Sequence, residues 1–282
     1  MRRLAPLLLL LPLLGTACSS GGDGRPTVVV GAYPFAWLAG QLVGDHAEVV
    51  DLVKPGAEPH DVELTPRQIG RVEKAKVVFY LKGFQPSVDD AVSVSRHAYD
   101  LGRAISQLHT DGEGLDPHVW LDPVLMKQLA ASMVADLAQV FGADPGFATR
   151  AQELGRRLDA LDTDVRAELT GCRQTEIVTS HAAFAYFAQR YGLTQRGITG
   201  LSPEAEPSPR RLADVATYAR SHHVTTIFFE SLVSPKVAAT VASEVGATTA
   251  VLDPIESVRG SDDYLTVMQR NAATLHTALE CS

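Results

Sequence analysis

Short runs rich in β-branched and aromatic residues recur along the chain at 27–30, 49–53, 76–81, 176–180, 225–230 and 249–253. Between them the apolar positions switch to a helical period, and the helix starts are marked. Asp122-Pro123, Asp144-Pro145, Ser208-Pro209 and Ser234-Pro235 each set a capping side chain before a proline at the first helical position. Gly142, Gly171 and Gly246 stand where three of these helices should stop. Strands alternating with helices predict an α/β fold with parallel sheets built from βαβ units.

One helical pattern is longer than the rest. Over 144–171 the apolar positions Phe147, Ala151, Leu154, Leu158, Leu161, Val165 and Leu169 advance in steps of three or four, a single stripe at helical period. At 1.5 Å per residue such a helix reaches roughly 40 Å. It divides the β/α pattern into comparable halves, so the chain reads as two β/α lobes, 27–143 and 172–282, joined by a connector helix at 144–171. The stripe is too short for a coiled coil, and no sequence repeat links the halves.

The N-terminus reads as a targeting segment. Arg2-Arg3 precede an apolar run of 11 residues, Leu4 to Leu14, broken by Pro6 and Pro12. A bilayer span needs about 20 residues, so 1–17 reads as a signal peptide and no later segment as a span. Gly15-Thr16-Ala17-Cys18 resembles a bacterial lipobox in which Cys18 is lipidated, although the position three before the cysteine is Gly15 where a leucine is usual. Residues 18–26 would then be a Gly/Ser-rich tether. Cys172 and Cys281 are the remaining cysteines, and in an oxidising compartment they are expected to be bridged rather than free.

Composition removes several classes. With 45% apolar and 21% charged residues the chain is neither disordered nor of low complexity. The net charge is −8. Cleavage before Cys18 takes away Arg2 and Arg3, leaving 23 basic against 33 acidic side chains and a charge of −10. No basic footprint exists for nucleic acid.

Ligands of parallel sheets sit beyond the carboxyl ends of the strands, and metal-ligating residue types collect there. His60 follows the second strand run, His181 the fourth, Glu230 ends the fifth and Asp253 the sixth, while His118 lies in a loop just before a helix. Each is weak alone. Three imidazoles and a carboxylate together suit Zn²⁺, which takes four N, O or S donors in a tetrahedron.

Pro59-His60-Asp61, Asp116-Pro117-His118-Val119-Trp120-Leu121-Asp122-Pro123, Thr179-Ser180-His181-Ala182-Ala183-Phe184-Ala185-Tyr186-Phe187, Gly200-Leu201-Ser202-Pro203-Glu204-Ala205-Glu206-Pro207-Ser208 and Leu252-Asp253-Pro254 occur in this order. They resemble the zinc/manganese ABC-transporter substrate-binding family over about 26–279. The resemblance implies two lobes on a rigid linking helix. It implies His60, His118 and His181 as metal ligands with Asp253 as candidate fourth; Glu230, at its strand end, reads separately as a partner orienting a ligand imidazole rather than as a ligand. Some members use a Glu directly before the first histidine, or a water, as fourth ligand; here Glu58 stands two residues before His60, with Pro59 between. Manganese-binding relatives typically carry Glu at the third position and zinc-binding relatives His, as here. The His-rich loop that many zinc members place before the second ligand is reduced to His109 in 109–114.

The resemblance therefore implies an exported, lipid-anchored monomer on the outer face of the cytoplasmic membrane. It would capture Zn²⁺ as cargo and pass it to an ABC permease, and would not be an enzyme. The alternatives are a manganese-type member, a zinc hydrolase and a surface adhesin. No H-E-x-x-H helix supports the second of these, and nothing in the sequence marks a macromolecular face for the third. His222-His223 precede a strand, where neighbours point to opposite faces. His46, His97 and His276 read as surface residues, and Trp120 as packing beside the His118 loop.

Overall fold

The computed structural model describes residues 24–106, 108–111, 114–232, 234–258 and 260–282. The signal-peptide segment and Cys18 lie outside them. In chain order the elements are β1 (Thr27–Val30), α1 (Tyr33–Val43), β2 (Glu48–Asp51), α2 (Pro66–Lys74), β3 (Val77–Tyr80), α3 (Pro86–Val92) and β4 (Ala98–Asp100). A two-strand ribbon follows, β5 (Thr110–Asp111) and β6 (Gly114–Leu115), and then α4 (Pro123–Phe141) and α5 (Pro145–Glu168). The second half holds β7 (Glu176–Thr179), α6 (Ala185–Tyr191), β8 (Thr194–Gly197), α7 (Pro209–Ser221), β9 (Thr226–Phe229), α8 (Lys236–Val245), β10 (Thr248–Val251) and α9 (Tyr264–Ala278).

Two parallel four-stranded sheets result, ordered β2-β1-β3-β4 and β10-β9-β7-β8. Their central strands are covered on both faces. Val28, Val29, Val30, Val77, Val78 and Phe79 are fully buried, as continuous apolar runs in a parallel sheet should be. The six strand runs read from the sequence all form, shifted by at most two residues at their ends. β4 and β8 were not expected: both are edge strands, and Thr194-Gln195-Arg196-Gly197 has no apolar pattern because one flank meets water.

The caps behave as their chemistry requires. Asp122, Asp144 and Ser208 accept from the backbone N–H of Val124, Gly146 and Arg211. α8 begins one residue late, at Lys236, with Pro235 at its cap position. α5 is 24 residues, about 36 Å. It buries Phe147, Leu154, Leu158, Leu161 and Val165 and packs on α4, α9 and α1. α4 overturns the expectation that nothing after the leader could span a bilayer. Its 19 residues are long and apolar enough. It instead buries Met126, Leu129, Ala130, Met133 and Leu137 within a core that runs continuously from β1 through α4 and α5 to α9. Cys172, just past α5, and Cys281, just past α9, lie with their sulfur atoms side by side.

Candidate metal centre

The three histidines arrive from both halves. His60 sits in the loop after β2. Its backbone is held where its own N–H donates to Glu58 Oε1 (2.8 Å), and Gln85 Nε2 donates to Pro59 O (2.9 Å). His118 opens a single 3₁₀ turn, Val119–Leu121, between β6 and α4. His181 follows β7 beside the switch point where the second sheet reverses strand order, the place such sheets bind ligands. The chain passes so close there that a side chain at Gly197 would meet Thr199 O at 2.6 Å and Ala182 N at 2.9 Å. Only glycine lets β8 run beside the His181 segment.

Second partners turn two of the rings. His118 Nδ1 lies 2.7 Å from Asp116 Oδ1 and His181 Nδ1 2.7 Å from Glu230 Oε1, which also accepts from Ser180 Oγ (2.7 Å). A carboxylate can only accept, so each Nδ1 carries a proton, and once Nε2 gives up its own proton the lone pair left there points inward. Trp120 packs against His118 with ring centroids 5.2 Å apart. His118 and His181 are buried, and His60 is 10% exposed at its side chain.

The carboxylate that joins the three imidazoles is Glu256, and Asp253 stays outside the group. Glu256 Oε1 lies 3.1 Å from His60 Nε2, 3.0 Å from His118 Nε2 and 3.5 Å from His181 Nε2. His118 Nε2 is 3.3 Å from both other Nε2 atoms. The four donor atoms lie within 4.8 Å of one another, the one such group among the described residues. A tetrahedron with metal–nitrogen bonds of 2.0–2.1 Å has edges of about 3.3 Å. Five of its six edges are matched here.

Asp253 is spent elsewhere. Its Oδ1 accepts from Ile255 N (2.8 Å) and its Oδ2 from Ser231 Oγ (2.8 Å). β10 ends at Val251, earlier than the sequence implied, and the backbone turns at Ile255 so that Glu256, three places past Asp253, enters the cluster. No strand-end rule could find Glu256, because it lies in an irregular loop past the strand. Glu58 contributes its Oε1 to a backbone N–H and stays outside the group of four.

The electrostatics favour a cation. Burial raises Glu256, but hydrogen bonds from the three imidazoles overrule it and hold the carboxyl well below its ordinary range. Burial likewise opposes charge on His118 and His181. The hydrogen bonds of Asp116 and Glu256 raise the first, and the charge and hydrogen bond of Glu230 push the second up to about 10. His60, with no such carboxylate at its back, is lowered by burial. Glu58 is pushed up to about 8 by burial and by the charge of Glu256. Glu58 Oε2, Asp116 Oδ2, Glu230 Oε2 and Glu256 Oε2 are buried with no partner.

The remaining histidines stay apart. His46 faces Asp144 (3.1 Å), His276 Nδ1 meets Glu168 O (2.7 Å), and His222 stacks on Tyr218 with centroids 4.0 Å apart. His109 stacks on Tyr186, also at 4.0 Å.

The family described as zinc-uptake complex component A, periplasmic (ZnuA) matches residues 28–278. The chain is 32% identical to the high-affinity zinc uptake system protein ZnuA of Bacillus subtilis, covering 98% of this chain and 96% of that one. It is 32% identical to the zinc-binding lipoprotein AdcA of Streptococcus pneumoniae over 98% of this chain, but spans 60% of AdcA. Among solved structures, the laminin-binding protein Lmb of Streptococcus agalactiae is described as a bifunctional protein with adhesin and metal transporting activity. It superposes with a TM-score of 0.81 at 29% identity, covering 90% of this chain and 99% of Lmb.

Proposed function

The chain belongs to the ZnuA family of periplasmic zinc-uptake components, and from that premise we propose that it captures one Zn²⁺ as cargo and hands it to an ABC-type permease. The observation that carries this reading is the donor set of His60, His118, His181 and Glu256, spaced at the edges of a zinc tetrahedron. Four donors complete that tetrahedron, which suits capture. A hydrolytic zinc would keep one position for water. Three imidazoles favour zinc over Mn²⁺, which takes more oxygen.

The protein works outside the cytoplasm. Its anchorage through a lipid on Cys18, its action as a monomer and a Cys172–Cys281 disulfide are part of the proposal. So is the division into lobes 27–143 and 172–282 about a connector at 144–171. The core shared between the halves favours modest rocking and loop motion at release over a wide hinge.

The test is a chelator-competition titration of the metal-stripped mature protein with Zn²⁺ and Mn²⁺, beside His181→Ala, Glu256→Ala and Asp253→Asn. One tight zinc equivalent is expected. It should weaken by orders of magnitude in the first two variants and less in the third, and excess Mn²⁺ should not displace it. Weak zinc binding by the wild type, or unchanged binding in His181→Ala, refutes the reading.

A further inference from the structure

Glu256 reaches the imidazoles from a backbone conformation that side chains rarely adopt. Ile255, directly before it, has φ 60° and is fully buried. A β-branched residue in the left-handed region is strained, and such a residue persists only where its surroundings over-determine it. The surroundings here can be named. Asp253 Oδ1 accepts from the Ile255 N–H (2.8 Å). Asn271, on α9 and 2% exposed, grips Asp253 from both sides. Its Oδ1 accepts from Asp253 N (2.9 Å) and its Nδ2 donates to Asp253 O (2.6 Å). Trp120 Nε1 donates to Pro254 O (2.7 Å), and Gly56 N to Ser257 Oγ (2.6 Å). The turn is clamped before, within and after Ile255, and one oxygen of Glu256 faces all three imidazoles while the other, buried, has no partner.

We infer that Asn271 is a positioning residue that fixes Glu256 as a one-oxygen donor and thereby sets the site's preference for zinc over manganese. The inference rests on the zinc-capture reading above. Asn271 bonds to the backbone of Asp253 and acts on Glu256 only through the turn. With the grip released, Ile255 can leave its strained conformation and Glu256 can swing. A freed carboxylate can offer both oxygens, which disfavours a four-coordinate ion and favours one that takes more oxygen donors.

The experiment compares metal-stripped wild type and Asn271→Ala by chelator competition with Zn²⁺ and with Mn²⁺, and by the visible spectrum after loading with Co²⁺. Supporting partners of metal ligands are worth about ten- to hundredfold in affinity. The zinc Kd should rise by that factor, the zinc-to-manganese ratio should narrow, and the intense bands of tetrahedral Co²⁺ should weaken, while the metal-free variant still melts cooperatively. A folded variant with an unchanged ratio and cobalt spectrum overturns the inference. So does an equal loss for both metals with tetrahedral cobalt bands retained, which marks a merely structural role. If Asn271→Ala does not fold, Asn271→Asp keeps the acceptor for Asp253 N–H and removes the amide donor, and the same outcomes decide. Failure of the wild type to bind zinc strikes the capture reading instead, so the two failures are distinguishable.

Discussion

Glu230→Gln is the sharpest probe of how the site is held, because it changes charge and proton inventory without changing shape. Glu230 Oε1 accepts from both Ser180 Oγ and His181 Nδ1 at 2.7 Å. A glutamine can keep those bonds only by placing its carbonyl there, which puts its NH₂ where Oε2 now lies buried with no partner. An unsatisfied buried donor costs about 1–3 kcal/mol. The other orientation offers NH₂ to Nδ1, forcing the ring proton onto Nε2 and removing His181 as a ligand. In that orientation zinc affinity falls outright, and in the first the loss of the negative charge behind His181 weakens it. Outer partners of ligand histidines contribute about ten- to hundredfold, or about 1.4–2.8 kcal/mol. The same change should lower the His181 pKa in the metal-free protein, since the charge and hydrogen bond of Glu230, ahead of those of Glu256, push it up to about 10 against burial. Chelator competition measures the first effect, and an NMR titration of the imidazole signals the second. A zinc Kd within threefold of wild type, with His181 titrating as before, refutes the argument that Glu230 sets the tautomer and basicity of this ligand.

Two further outcomes concern what joins the halves. Asp162 on α5 accepts from Arg190 on α6 at 2.9 and 2.6 Å, which holds its carboxyl below the ordinary value although burial alone would raise it. Asp162→Asn should cost about 1–2 kcal/mol at neutral pH, discounted for partial exposure of the pair. A depressed pKa stabilises fully above the unfolded value of about 3.9, and the benefit is lost as pH falls through the lower folded value. Urea midpoints of wild type and variant should therefore converge on acidification, and divergence would contradict the assignment. Replacing both Cys172 and Cys281 by serine should lower the unfolding free energy by about 2–5 kcal/mol, the range for opening a natural bridge. An unchanged midpoint under oxidising conditions would mean that the thiols are free.

Much of this was legible in the residues themselves, for reasons tied to distance along the chain. Parallel strands buried on both faces must be apolar throughout, so the runs around Val28, Val78 and Ile177 announced themselves. Asp122, Asp144 and Ser208 bond to N–H groups two or three residues on, so these helix starts needed no tertiary information. His60, His118 and His181 stand within short motifs that place them beside strand ends or helix starts, and all three meet in the structure.

What the tertiary structure alone decided lies where contacts cross the chain. The edge strands β4 and β8, of three and four residues, lack a run of β-branched residues and take their conformation from pairing with β3 and β7. α4 is apolar enough for a membrane, and only its packing against α5 and α1 marks it as core. The carboxylate that meets the three imidazoles is the clearest case. Asp253 and Glu256 are both carboxylates past one strand, and sequence offers no ground for preferring the second. The choice is made by Asn271, 18 residues away on α9, and by Trp120 across the core. By holding a turn that Ile255 would not adopt unaided, they send Glu256 into the metal pocket and leave Asp253 to cap the turn.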